Sequence, residues 1–169
     1  MATKTYIQPE TAIVWTDSGG TYALDLGTTG GAAGAVRAGA QGDLGADASG
    51  RADMYFWQLY IDGFDTAPVV GEAVQLYLAL ALDGSNTIID GDLGTSDADS
   101  STVVLPNLMH IGTVVVQTTT AANELVTSGY IQIAHRYVTP VVYNATADKL
   151  LSTSDGHKFT LVPMPYESQ

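Results

Sequence analysis

Between Ala73 and Leu82 the side chains alternate with a period of two. One parity carries Val74, Leu76, Leu78, Leu80 and Leu82, and the other carries Ala73, Gln75, Tyr77, Ala79 and Ala81. Successive side chains of a strand point to opposite faces, so the first set predicts a core-facing row of large aliphatics. Ala and Leu also favour helices, but the strict alternation and the Asp83-Gly84 stop select the strand.

Other segments read the same way. Asp53–Ile61 is rich in aromatics (Tyr55, Phe56, Trp57, Tyr60) and reads as a strand with both faces covered, or with one face open to a partner. Gly63 to Pro68 connects it to the next strand. Ile111–Gln117 is β-branched, and Gly129–Val142 reads as one strand-like piece that Pro140 bends or confines to an edge. His157–Met164 is the last predicted strand, with Phe159 and Leu161 on one parity. Near the start, Ala12–Trp15 and Thr21–Leu26 flank Asp17-Ser18-Gly19-Gly20, which predicts a hairpin. A short helix is predicted only around Ala121–Leu125. Gly27–Gly50, dominated by Gly and Ala, permits close backbone packing or mobility, and Asp83–Ser101 reads as a long acidic loop.

Many short strands with Gly-rich turns and no sustained helical period predict an all-β protein, a sandwich or barrel. With 169 residues, one domain is expected, divided into an N-terminal arm or edge strands over 1–40 and a β-sandwich over 41–169. The 18 acidic residues against 6 basic give a net charge of −12, so the chain has little with which to grip phosphates, and nucleic acid and anionic membrane are disfavoured partners. Only 14% of residues are charged, against a typical value of about 25%, so neutral groups must cover much of the surface, as suits a protein packed against neighbours. There is no Cys, which removes disulfides, thiolate catalysis and Cys-based zinc sites. Met1–Glu10 has no apolar core of a signal peptide, and Val69–Leu82, broken by Gly71, Glu72 and Gln75, is too short and polar for a membrane span, so synthesis and assembly in a cytoplasm are expected.

Candidate sites are few. The acidic loop holds Asp83, Asp90, Asp92, Asp97 and Asp99, and clustered oxygens suit calcium; Asp90, Asp92 and Asp97 are the candidate ligands. The spacing does not match an EF-hand, and a solvated acidic loop is the plainer reading. His110, His135 and His157 stand in three separate segments without HxH or HxxxH pairing, so each reads as structural rather than as a zinc ligand or a base. No GxSxG elbow, phosphate loop or dinucleotide fingerprint is present, and nothing in the spacing supports a carboxylate pair. No catalytic residue is assigned, and an enzyme is the last expectation. The aromatics Trp15, Tyr55, Trp57 and Tyr60 are candidates for a protein interface or a sugar-stacking platform, with core packing as the alternative.

The runs Gly42-Asp43-Leu44-Gly45-Ala46, Arg51-Ala52-Asp53-Met54-Tyr55 and Ala67-Pro68-Val69-Val70-Gly71-Glu72-Ala73-Val74-Gln75-Leu76-Tyr77-Leu78-Ala79, followed by Asp83-Gly84 and the acidic loop, resemble small tailed-phage virion structural proteins. Ile111-Gly112-Thr113-Val114-Val115-Val116 and Phe159-Thr160-Leu161-Val162-Pro163 resemble later strands of the same pattern, so the likeness spans about residues 40–165. Its motifs are short and structural. The resemblance implies a jelly-roll β-sandwich with long loops; the first forty residues lie outside it, and their composition suits an extended N-terminal segment reaching a neighbouring subunit. It implies a virion protein, first a capsid decoration (cement) protein bound to the major capsid protein and self-associated, with a homotrimer expected. A tail, baseplate or fibre component is the alternative, and a carbohydrate-binding module a further one. No cofactor is implied.

Overall fold

The computed structural model describes residues 5–7, 9–27, 31–46, 51–84, 96–99, 105–153 and 155–168. The chain is an all-β sandwich of jelly-roll type. The strands in chain order are β1 (Thr5–Ile7), β2 (Ile13–Thr16), β3 (Tyr22–Ala23), β4 (Val36–Ala38), β5 (Gly42–Asp43), β6 (Met54–Ile61) and β7 (Ala73–Ala81). They continue with β8 (Ala98–Asp99), β9 (Met109–Val115), β10 (Leu125–Gln132), β11 (Tyr137–Ala145), β12 (Lys158–Pro163) and β13 (Tyr166–Ser168). One sheet has the order β10-β6-β12-β2-β3; the other runs β8-β4-β11-β7-β9, with β5 also on β11; β1 and β13 pair separately.

The core forms where the alternating rows of the two sheets meet. Val74, Leu76 and Leu78 of β7 are fully buried against Trp57, Leu59 and Ile61 of β6 and Phe159 and Leu161 of β12, in one cluster. Leu80 stays at the margin of that cluster, while Leu82, past the end of the strand, is exposed. The opposite parity of β7 is covered too: Ala79 and Ala81 pack with Ala38, Leu108 and Val141 in a second, smaller cluster on the outer side of the sheet.

Four expectations give way to tertiary contacts. The segment Asp17–Gly20 is not a hairpin, because β2 and β3 are parallel, with Trp15 opposite Tyr22 and Thr16 opposite Ala23. The Asp155 carboxylate draws this loop outward, accepting the Ser18 and Gly19 N–H groups (2.6 and 2.8 Å), the Ser18 hydroxyl (2.8 Å) and the Thr16 hydroxyl (3.1 Å). These hydrogen bonds hold the Asp155 carboxyl at about 2, below the ordinary carboxylate range. The Ala121–Leu125 stretch is a turn, not a helix. The Ala121 carbonyl accepts the Phe64 N–H (2.8 Å), so it is not spent on a helical turn.

Gly129–Val142 is two strands in different sheets, and Pro140 lies in the middle of β11, which is not an edge. The Pro140 carbonyl accepts the Gly39 N–H (2.8 Å). Its nitrogen therefore faces the same side, at the break between β4 and β5, where no ladder acceptor needs a donor. Finally, of the arm or edge strands expected over 1–40, the described residues give β3 as an edge strand, while β2 and β4 lie inside the sheets rather than in an arm. The segment contributes β2 and β3 to one sheet and β4 to the other, and Trp15, Leu24 and Leu26 lie in the main core. The Gly- and Ala-rich stretch supplies the close approach that Trp15 needs: its indole N–H donates to the Ala40 carbonyl (2.8 Å), and its ring lies directly on the Gly42 backbone.

Candidate interaction face

The two-residue period of β6 decides which aromatics a partner can reach. Tyr55, Trp57, Leu59 and Ile61 point inward, while Met54, Phe56, Gln58 and Tyr60 lie on the outer face. Trp15 (0% exposed), Tyr55 (1%) and Trp57 (4%) are therefore core residues, and their assignment to an interface is corrected. Trp15 stacks on Tyr22 at 5.2 Å and tilts against Phe159 at 5.4 Å. Burial raises the Tyr55 phenol to about 12, with Arg51 opposing and Asp53 and Glu10 adding to the shift. A hollow of about 170 Å³ beside Tyr55 is lined by Glu10, Leu44, Arg51 and Pro163.

Tyr60 is on the outer face, with neighbours that the sequence reading passed over. Cross-strand register sets out three rows. The first contains Val126, Tyr60, Lys158 and Thr16; the second, Ser128, Gln58, Thr160 and Val14; the third, Tyr130, Phe56 and Val162. Phe56 and Tyr130 meet edge-on at 5.5 Å. Tyr130 is 68% exposed and Val126 50%, with no second layer over them among the described residues. Tyr130 and Phe56 share the parity of Tyr60 and of its cross-strand partner Val126, and that parity was the signal in the sequence. Lys158 is the one formally charged residue in the three rows, and its ammonium sits 5.2 Å from the centre of the Tyr60 ring.

Carboxylates gather at one end of the face. The Tyr60 hydroxyl donates to Asp62 (3.2 Å). Desolvation, then hydrogen bonds to Glu124 and Asp62, raise its pKa, since each carboxylate disfavours a phenolate. Glu124 and Val126 also line a cleft of about 460 Å³ between β9 and β10, together with Val115, Gln117, Thr118 and Asn123. The face and the cleft are thus one continuous surface, apolar at its centre and polar at its end.

The other candidates are placed apart from it. Asp90 and Asp92 lie outside the described residues. Asp97 is not a free metal ligand: both of its oxygens are taken by Arg37, with Nε at 2.7 Å and Nη2 at 2.5 Å, and Asp99 adds a third contact at 3.1 Å. Burial lowers the Arg37 pKa, but the hydrogen bonds and charges of Asp97 and Asp99 outweigh it, and the net shift is upward. Asp97 and Asp99, two of the acidic residues that suggested calcium, neutralise a guanidinium at the β4–β8 margin. No group of three or more His, Asp or Glu able to hold a metal forms among the described residues.

The three histidines do not converge. His157 is buried, with Nδ1 accepting the Asp62 N–H (3.1 Å) and Nε2 donating to the Leu151 carbonyl (2.7 Å). This fixes the neutral Nε2–H tautomer, and burial pushes its pKa down. His110 is exposed, bonded to Thr113 (2.9 Å) and set edge-on against Tyr77 at 5.1 Å. His135 keeps its Nδ1 buried without a hydrogen-bond partner among the described residues.

No family model matches the chain. No curated protein matches it. Among solved structures, it is similar to a family 35 carbohydrate binding module from an environmental isolate (11% identity, TM-score 0.41), over 92% of this chain and 91% of that one. It is also similar to the CBM35 of Cellvibrio japonicus Abf62 (10% identity, TM-score 0.37), over 99% and 97%. Murine APRIL at pH 5.0 aligns at 10% identity and a TM-score of 0.37, over 66% of this chain and 67% of that one. At these scores the likenesses bear on no residue of the face described above, which is argued from its own geometry.

Proposed function

We propose that the chain is a structural protein of a virion, a capsid decoration protein that seats the outer face of its five-stranded sheet on the major capsid protein. The observation that carries this reading is the row of Phe56 and Tyr130, an edge-on aromatic pair held by a rigid ladder, Phe56 half-buried and Tyr130 68% exposed, on a nearly charge-free face. Aromatic anchors on a pre-formed surface bind at little conformational cost, and such residues dominate protein interfaces. The acidic remainder of the chain, at −12 overall, suits capture by a basic partner surface and disfavours nucleic acid. The short phage-like motifs of residues 40–165 supply the choice of partner.

Purified chain mixed with expanded capsids of the phage that encodes it is expected to co-sediment with them. Phe56→Glu or Tyr130→Glu alone should weaken binding about 30-fold, the loss of one anchor of about 2 kcal/mol, with far-UV circular dichroism unchanged. Wild-type chain that stays in the supernatant at micromolar concentration sinks the capsid reading. Cryo-electron density on the tail would move the same face to a tail, baseplate or fibre role. Tyr130, with its ring open to solvent, also favours one second reading, stacking on a sugar. A glycan array probed with wild type and Tyr130→Ala separates this from protein docking.

A further inference from the structure

Each sheet of a sandwich ends in two edge strands whose unpaired N–H and C=O groups invite another strand. Among the described residues, three of the four edges of the sandwich are blunted. β3 and β8 are two residues long, and β8 also carries Asp99, bound to Arg37. β9 carries a bulge: Leu76 pairs with Gly112 and Tyr77 with His110, which leaves Ile111 unpaired. β10 is the exception. It runs eight residues, Leu125-Val126-Thr127-Ser128-Gly129-Tyr130-Ile131-Gln132, without a charge, a proline or a break in its ladder to β6. Val126 and Tyr130 stand exposed on its outer side, and β6 is its one strand partner among the described residues. A regular edge of this length, uncharged in a chain of net −12, is open to pairing with another strand.

We infer that β10 pairs antiparallel with β10 of a second copy of this chain, about a twofold axis at Ser128. Opposed residues of an antiparallel pair share a face, so the register must match parity with parity. Centring on Ser128 does so over the longest apolar overlap. Val126 meets Tyr130 of the second copy on the outer face, and Leu125 meets its Ile131 on the inner face. Thr127 meets Gly129, and Ser128 meets Ser128. A β-branched residue opposite an aromatic is a favourable cross-strand pair. The pairing joins two five-stranded sheets into one ten-stranded sheet and sets two Phe56–Tyr130 patches side by side. Such a dimer differs from the trimer that the phage resemblance implies. It holds whatever the outer face docks on.

A charge swap at Ser128 tests this, since that side chain is exposed and polar and its replacement leaves the core untouched. Wild type is expected to sediment at twice the chain mass of 17.7 kDa. Ser128→Lys and Ser128→Glu, each alone, place like charges opposite each other and should weaken the dimer at least tenfold. An equimolar mixture of the two should restore it. As a second measurement, the chain has no Cys, so Ser128→Cys should cross-link to a dimer under mild oxidation at least tenfold faster than Thr160→Cys, two strands inward. Wild type that is monomeric up to about 1 mM overturns the inference. So does a dimer indifferent to the charge swap, which uses another surface, or a strand captured only from a different protein. Phe56→Glu should leave the dimer intact while weakening capsid binding about 30-fold, so the two proposals fail separately.

Discussion

Trp57 lies between two backbones, and replacing one glycine beside it tests how the sandwich is packed. A Cβ built on Gly112, in β9 of the opposite sheet, would stand 3.1 Å from Cζ2 and from Cζ3 of Trp57, and closer still to Cη2. A Cβ on Gly129, its cross-strand neighbour, would meet the same indole at 3.0–3.1 Å. Gly112→Ala therefore forces a rigid buried ring or an edge strand to move. Overpacking of this kind costs about 1–3 kcal/mol, offset by about 0.4–1 kcal/mol from the stiffer unfolded chain. The net loss should be about 1–2 kcal/mol, or about 2–8 °C in Tm for a domain of this size. Trp57→Phe removes the atoms that the new methyl strikes and alone should cost about 2 kcal/mol as a large-to-small change. The double variant should be less destabilised than the sum of the two by about 1–2 kcal/mol, because the methyl fills part of the space that the indole vacates. Urea unfolding followed by far-UV circular dichroism measures the cycle without relying on tryptophan emission. Gly112→Ala with Trp15→Phe, whose ring packs on Gly42, Tyr22 and Phe159, should be additive. Additivity within about 0.5 kcal/mol for the Trp57 pair as well would refute this account of the contact.

The Arg37 ion pairs should be unequal. Asp97→Ala is expected to cost about 3 kcal/mol in urea unfolding, because it leaves a guanidinium that is only 9% exposed facing one remaining carboxylate. Asp99→Ala, at a carboxylate 61% exposed, should cost under about 1 kcal/mol. His157 sets an acid limit. Its folded pKa lies below the unfolded value, so its contribution to stability is complete above about pH 6.5 and is lost as pH falls through the lower folded pKa. Tm measured from pH 8 to pH 5 should fall in wild type and flatten in His157→Gln, where no buried imidazole has to gain a proton.

Legibility in the sequence followed the range of the interactions. The strands β6, β7 and β12 were readable because burial alternates along all or most of each, and β9, whose alternation is broken at its bulge, because of its β-branched run. The parallel β2–β3 pair was not, since the Ser18–Gly19 turn is shaped by Asp155, far along the chain. Pro140 in a central strand was misleading for a similar reason: its missing N–H is harmless only because β4 stops and β5 starts opposite it. Asp97 looked like a metal ligand because a sequence shows the acids but not Arg37 from a strand sixty residues earlier.

For the interaction face, the aromatic content of Asp53–Ile61 was visible and its division between the two sides was within reach. Alternation separates Tyr55 and Trp57 from Phe56 and Tyr60 once either side is known to be the core, and Leu59 and Ile61 on the odd side settle which it is. The strand partner of that face needed more. Only the pairing of β10 with β6 puts Tyr130 beside Phe56, and only the order of strands makes β10 an edge. Composition then acquires a local meaning. A chain with so few charges can still defend its edges with Asp99 or a bulge, and it does so at β8 and β9. At β10 it does neither, so the absence of Lys, Glu and Pro from Leu125 to Gln132 marks where this sandwich meets its neighbour.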